Sequence, residues 1–152
     1  MAQINIEKIE SILSHILRES SIRWGEDLVS VVVFGSFARG DAYEHSDIDL
    51  LIIVKNLPKG WRERGIYELS LERLGLTWNT PLQVILVEPE EILLAIDNMM
   101  PLLLEIHESY RYLFDRDMFF QKEMKRFEKM MMRRGVRRLA EHKWEVPEIA
   151  RQ

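Results

Sequence analysis

The residues of this sequence best suited to chemistry are a Gly35-Ser36 pair and, ten residues further on, Asp47 and Asp49. A glycine lets the backbone approach a ligand closely. A serine after it can cap a short helical turn, and the free N–H groups of that turn plus a hydroxyl suit a phosphate. Asp47 and Asp49 open an apolar run, Ile48–Val54 (IDLLIIV). On a strand, side chains two apart share a face, about 6.6 Å from one another. Two carboxylates so close, at the head of a buried strand, repel each other and are costly to desolvate unless a cation neutralises them. Hard oxygen ligands of this kind suit Mg²⁺, which keeps places for water and phosphate oxygens. The competing reading is a turn ending at Ser46-Asp47, with Asp49 capped by backbone N–H groups.

The elements that must hold these residues follow from patterning. Residues 28–34 (LVSVVVF) predict a strand buried on both faces, leading directly into Gly35. Residues 47–54 and 82–87 (LQVILV) predict two more strands, and Tyr110–Phe114 a short one. Helical spacing appears over 4–19, 60–74 (through Ile66, Leu69 and Leu74), 90–97, 101–108 and 117–134, the last with Phe120, Met124, Phe127 and Met131 on one stripe. The expected fold is α/β (α+β): one domain with a mixed sheet, helices mainly on one face, and a C-terminal helix. Residues 1–115 form its body, and 116–152 a basic helical extension packed on it.

The combined pattern, Gly-Ser followed after ten residues by Asp-x-Asp, each beside an apolar strand, resembles the minimal nucleotidyltransferase domain of the polymerase-β-like superfamily. PLQVILVEPEEI resembles that family's third core strand and next helix, and NLPKGWRERG resembles prokaryotic members. The resemblance implies that Gly35 and Ser36 hold nucleotide phosphates and that Asp47 and Asp49 ligate Mg²⁺ and serve catalysis. The implied reaction is attack of an acceptor hydroxyl on the α-phosphorus of a nucleoside triphosphate, with ATP donating AMP and pyrophosphate leaving. Small proteins similar to this one pair with a HEPN-family RNase toxin. A HEPN-type partner is therefore expected, either as acceptor or, in the alternative reading, as the target of an antitoxin-type binding module with weak or lost transfer.

One departure bears on that choice. The family's third carboxylate falls at Gln83, which can offer a metal a carbonyl oxygen but cannot act as a base. Arg39, one helical turn past Ser36, is placed to reach a phosphate oxygen; its rival role is a solvated arginine near Asp41 and Glu44. His45 precedes the aspartates as a weaker candidate. His15, His107 and His142 show no ligand spacing. Trp24, Trp61 and Trp78 are candidates for stacking on a base, with core packing as the rival.

Composition narrows the class. Among 152 residues 47% are hydrophobic and none is cysteine, which excludes a disulfide scaffold, a thiolate metal site and a cysteine nucleophile. No apolar run reaches the roughly 20 residues of a membrane span, so a cytoplasmic protein away from the membrane is expected. Residues 1–115 carry 10 basic and 19 acidic side chains, whereas 116–143 carry 10 basic and 4 acidic. That basic segment (Lys122, Lys125, Arg126, Lys129, Arg133, Arg134, Arg137, Arg138) could meet RNA or an acidic protein. It lacks arginine–aromatic interleaving, so RNA binding is not favoured over a solvated helix face.

Overall fold

The computed structural model describes residues 6–43, 46–140 and 143–147. Helix α1 (Ile6–Trp24) leads into β1 (Leu28–Phe34), a single turn of helix α2 (Ser36–Arg39) and β2 (Ile48–Val54). Next come α3 (Trp61–Glu72), α4 (Leu74–Thr77), β3 (Leu82–Val87), α5 (Pro89–Asp97) and α6 (Pro101–Glu108). The chain then forms β4 (Tyr110–Asp115), α7 (Phe119–Arg133) and a hairpin of β5 (Arg137–Ala140) with β6 (Lys143–Glu145). The main sheet has the order β3-β2-β1-β4. The β1–β2 and β1–β4 pairs are antiparallel and β2–β3 is parallel, with α3 and α4 forming the crossover. The sheet is mixed and the fold is α/β, as the patterning predicts.

The distribution of helices differs from the expectation of one covered face. Strand β1 alternates between two cores: Val31 and Val33 pack with Ile12 and Ile16 of α1, Ile52 and Leu86. Val29, Val32 and Phe34 pack with Leu51, Ile53, Ile96 of α5, Ile106 of α6 and Phe127 of α7. Both faces of the central strands are apolar, so both must be covered. The doubly buried strand is itself the reason for three layers.

Of the expected Ile66–Leu69–Leu74 stripe, Leu74 packs against the core and the other two, on helix α3, do not. Ile66 and Leu69 are 68% and 51% exposed, and Leu71 is the residue that enters the core. The helix instead faces β3, an edge strand, with Glu72 accepting a hydrogen bond from the Val84 N–H (3.1 Å) and Glu68 one from the Leu86 N–H (3.2 Å). Glutamates four apart on a helix match N–H groups two apart on a strand, since both spacings are near 6 Å. The open edge is thereby closed against pairing with another chain.

Helix α7 buries the expected stripe of Phe120, Met124, Phe127 and Met131. Its start is fixed by Asp115, which accepts hydrogen bonds from the N–H groups of Phe120 (2.8 Å) and Gln121 (3.0 Å) and from the buried Ser30 hydroxyl (2.7 Å). Part of the basic surface is engaged internally: Arg126 pairs with Asp97 (2.7 Å) and Glu123 (2.9 Å), Arg137 with Glu145 (2.7 Å) and Arg138 with Glu108 (3.3 Å). Among the described residues no helix is long and apolar enough to cross a membrane.

Candidate active site

Strand β1 ends where the antiparallel register sets Phe34 beside Asp49 of β2, so Gly35 emerges directly against that carboxylate. Gly35 has φ +76°, and a Cβ there would lie 2.5 Å from Oδ2 of Asp49. Only glycine satisfies both conditions: the backbone is left-handed and no space exists for a side chain. The chain turns at once into α2, whose Ala38 and Arg39 N–H groups donate to the Gly35 carbonyl, both at 3.1 Å. The first N–H groups of this turn, including that of Ser36, have no partner inside the helix. Gly40, also left-handed, ends it.

Asp47 precedes β2 and is exposed, while Asp49 lies within the strand and is half-buried. The segment is held by the Tyr43 N–H donating to the Ser46 hydroxyl (2.8 Å) and by the Ile48 N–H donating to the Pro81 carbonyl (2.9 Å). The competing reading, Asp49 as a backbone-capped turn residue, is not what the geometry gives. Neither aspartate has a hydrogen bond or ion pair among the described residues. Burial, then the neighbouring Asp47 charge and that of Glu105, push the Asp49 carboxyl up to about 6; Arg39 acts in the opposite sense. A half-buried carboxylate that is unpaired and beside a second one fits a divalent cation shared with phosphate oxygens.

Gln83 stands directly opposite Asp49 in the parallel β2–β3 register, and its neighbours Ile85 and Val87 face the same core as Leu51 and Ile53. It therefore shares a face with Asp49, in the register that the family resemblance expects of the third position. Glu88, the next acid in the chain, is occupied elsewhere: it forms the capping box of α5 with Glu91 and meets Arg64. Among the described residues no three acidic or histidine side chains converge as a metal cage. Among the described residues Asp47 and Asp49 are the adjacent carboxylates here, and a cation held by them would draw its other oxygens from water or a ligand.

Arg39 pairs with Asp41 at 3.2 Å, and its charge is also felt at Asp49, so it borders the site. His45 and His142 lie outside the described residues. Trp24 and Trp78 pack into the core on the opposite face from Asp49, and Trp61 is 77% exposed beside Arg62. None of the three joins the site. Glu105, on α6, is the neighbour the sequence does not announce. It approaches Asp49 only because α6 runs into β4, whose Tyr110 pairs with Phe34. No spacing along the chain encodes that proximity.

The mixed sheet, with the Gly35 turn against Asp49 and Asp47 just before β2, agrees with the nucleotidyltransferase resemblance of the sequence. Residues 9–113 match the nucleotidyltransferase domain family, and the chain belongs to it. A Methanocaldococcus jannaschii protein, provisionally named a protein adenylyltransferase, is 36% identical over 130 residues, spanning 82% of this chain and 84% of its own. The protein adenylyltransferase MntA of Thermococcus cleftensis is 41% identical over 76 residues, 50% of this chain and 75% of its own. Among solved structures, a spectinomycin adenyltransferase from Enterococcus faecialis, crystallised with ATP and spectinomycin, superposes with a TM-score of 0.50 at 13% identity. The superposition covers 86% of this chain and 66% of that one. The chain is thus an enzyme-family member of nucleotidyl transfer, a class that works with a nucleoside triphosphate and a divalent metal.

Proposed function

We propose that this protein transfers AMP from Mg²⁺-ATP to a hydroxyl group of a partner protein, a HEPN-type toxin, in the cytoplasm. The reading is carried by one observation: the unpartnered, half-buried Asp49, beside Asp47 and against Gly35, in a chain of this family. The names of the two adenylyltransferase relatives support a protein as acceptor. In this reading Asp47 and Asp49 hold Mg²⁺ and are the catalytic pair, and residues 1–115 carry the chemistry. The Gly35-Ser36 turn receives the phosphates, with Arg39 exchanging its contact with Asp41 for a phosphate oxygen. The acceptor oxygen forms a bond to the α-phosphorus as the bond to pyrophosphate breaks, and the hydroxyl proton leaves to solvent or a base. When bound, the metal supplies positive charge against the triphosphate and the developing charge of the leaving group.

Gln83 sets the expected rate. With no carboxylate beside Asp49 on β3, the acceptor proton has no positioned base there, and a missing base typically slows transfer by about 10²–10⁴-fold. The test uses ATP labelled in its α-phosphate, a HEPN-type acceptor, and Mg²⁺ or EDTA. Wild type should label the acceptor slowly and only with Mg²⁺, and Gln83→Asp should label it faster. Transfer unaffected by EDTA would overturn the metal role. Tight Mg²⁺-ATP binding with no transfer by either protein would overturn transfer in favour of an antitoxin-type binding module.

A further inference from the structure

The C-terminal hairpin carries the one tryptophan not yet placed. Its strands are tied to α6: Arg138 meets the almost wholly buried Glu108 at 3.3 Å, and the Trp144 ring lies edge-on to His107 with centroids 6.2 Å apart. Trp144, with Val146 beyond it, and Pro101, Leu104 and Glu105 of α6 line an open cavity of about 490 Å³. Pockets for small ligands are of this size, with mainly apolar walls and few polar groups. One residue of its lining, Glu105, links the cavity to the surroundings of the site described above. Its Glu105 is close enough for its charge to reach Asp49, and α6 ends beside Tyr110, which pairs with Phe34 next to Gly35. The Trp144 indole N–H is shielded from solvent and has no hydrogen-bond partner among the described residues. Such a donor is rarely left open without a reason.

We propose that this cavity is the nucleobase subsite, in which Trp144, Leu104, Pro101 and Val146 take the base and Glu105 takes the ribose hydroxyls. The proposal rests on the nucleotide-transfer reading above and extends it to residues the sequence pattern does not mark. The order of groups along the ligand fits the charges. Phosphates belong at the Gly35 turn and Arg39, and an ionised Glu105 would repel them. A carboxylate accepts hydrogen bonds and cannot donate, so hydroxyl groups match it. Beyond the sugar, a planar base finds an aromatic side chain and an apolar wall. Every base offers a π-face, so stacking here strengthens binding with modest selectivity among bases. The basic C-terminal extension then has a defined task. It closes the nucleotide site from the α6 side.

The test compares calorimetric binding of Mg²⁺-ATP with that of Mg²⁺-tripolyphosphate, which has no sugar or base. Wild type should bind ATP more tightly than tripolyphosphate. Trp144→Ala should weaken ATP by about ten- to a hundredfold, the usual range for losing one stacked base, and leave tripolyphosphate unchanged. Trp144→Phe should restore most of the loss. Val146→Trp, which narrows the cavity while keeping the hairpin tryptophan, should also weaken ATP alone, so an unfolded hairpin in the alanine variant does not decide the matter. Equal ATP affinity across all four proteins would overturn the subsite while leaving nucleotide binding intact. Unchanged ATP affinity with slower labelling of an acceptor protein would overturn it in favour of an acceptor contact. Wild type binding neither ligand would overturn both this subsite and the transfer reading beneath it.

Discussion

Asp47 and Asp49 at the head of β2, and Glu68 and Glu72 on α3, are both carboxylate pairs set against the same sheet. The fold treats them in opposite ways. The glutamates accept hydrogen bonds from the free N–H groups of the edge strand β3. Burial still raises the Glu68 carboxyl above its ordinary range, but the Leu86 N–H works against that rise. Among the described residues the aspartates receive no such donors, and Asp49 is driven up by burial and by its neighbours' negative charge. A carboxylate pair satisfied by backbone is part of the architecture. A pair left unsatisfied beside a left-handed glycine with no room for a Cβ is what the proposed metal and nucleotide site requires. Paired acids are therefore informative only together with what already answers their charge.

Neutralising one member of each pair separates the two roles. Asp49→Asn should reduce nucleotidyl transfer by about 10³-fold or more, the order lost when a principal charge-stabilising group is removed from such a site. The same variant should melt at the wild-type temperature or higher without ligand, because it removes an unpaired charge. The measurement is transfer rate alongside a thermal melt. A variant that keeps its activity, or one that loses both activity and several degrees of melting temperature, would place Asp49 among the structural carboxylates.

At α3 the pattern should invert. Glu68→Ala and Glu72→Ala each leave an edge N–H without its protein partner, which should lower stability by about 1 kcal/mol. For a chain near this size that is roughly 2–4 °C in melting temperature. Transfer activity should be unchanged below the melt. The opened edge should also make the double variant more prone to self-association, readable by light scattering. Loss of activity without loss of stability would mean that α3 belongs to the site.

The unequal legibility of these regions has a physical cause. β1, β3 and the α7 stripe could be read closely because doubly buried strands and strongly amphipathic helices write their surroundings into consecutive residues. The Gly35–Asp49 arrangement was readable for a related reason: two short motifs border adjacent strands, so antiparallel pairing of β1 with β2 brings them together. Gln83 falls in register with Asp49 by the same logic, one strand further on. Helix α3 departs from its pattern because Ile66 and Leu69 keep helical spacing although their side chains face away from the core. The helix is oriented by Glu68 and Glu72 meeting a strand edge, and hydrophobic periodicity carries no trace of that. Glu105 and Trp144 carry no such signal, since tertiary packing alone brings Glu105 of α6 within reach of Asp49 and sets the final hairpin on α6. Coverage of both sheet faces was, by contrast, implicit in the apolar alternation of β1 and β2, which leaves neither face fit for water.

The smallest expected effect concerns pH and tests whether the contrast between the two carboxylate pairs is electrostatic. Burial, then the charges of Asp47 and Glu105, push the Asp49 carboxyl in the folded chain from its ordinary 3.8 up to about 6. A carboxyl that holds its proton more tightly when folded destabilises the fold wherever it is ionised. The penalty is full above about pH 6, fades as pH falls through that value, and is gone below 3.8. Asp49→Asn never carries the penalty, and every other titrating group is common to both proteins. Their difference in melting temperature should therefore isolate this one charge. The variant should melt higher at pH 8, the gap should narrow through pH 6, and the two curves should meet near pH 4. Because Asp49 is only half-buried, solvent screening limits the gap to about 1 kcal/mol or less, a few degrees at most. Mg²⁺-ATP should reverse its sign at pH 8, stabilising wild type by mass action and the variant far less. A gap that ignores pH would assign the variant's behaviour to packing, and Asp49 would then stand with the glutamates of α3.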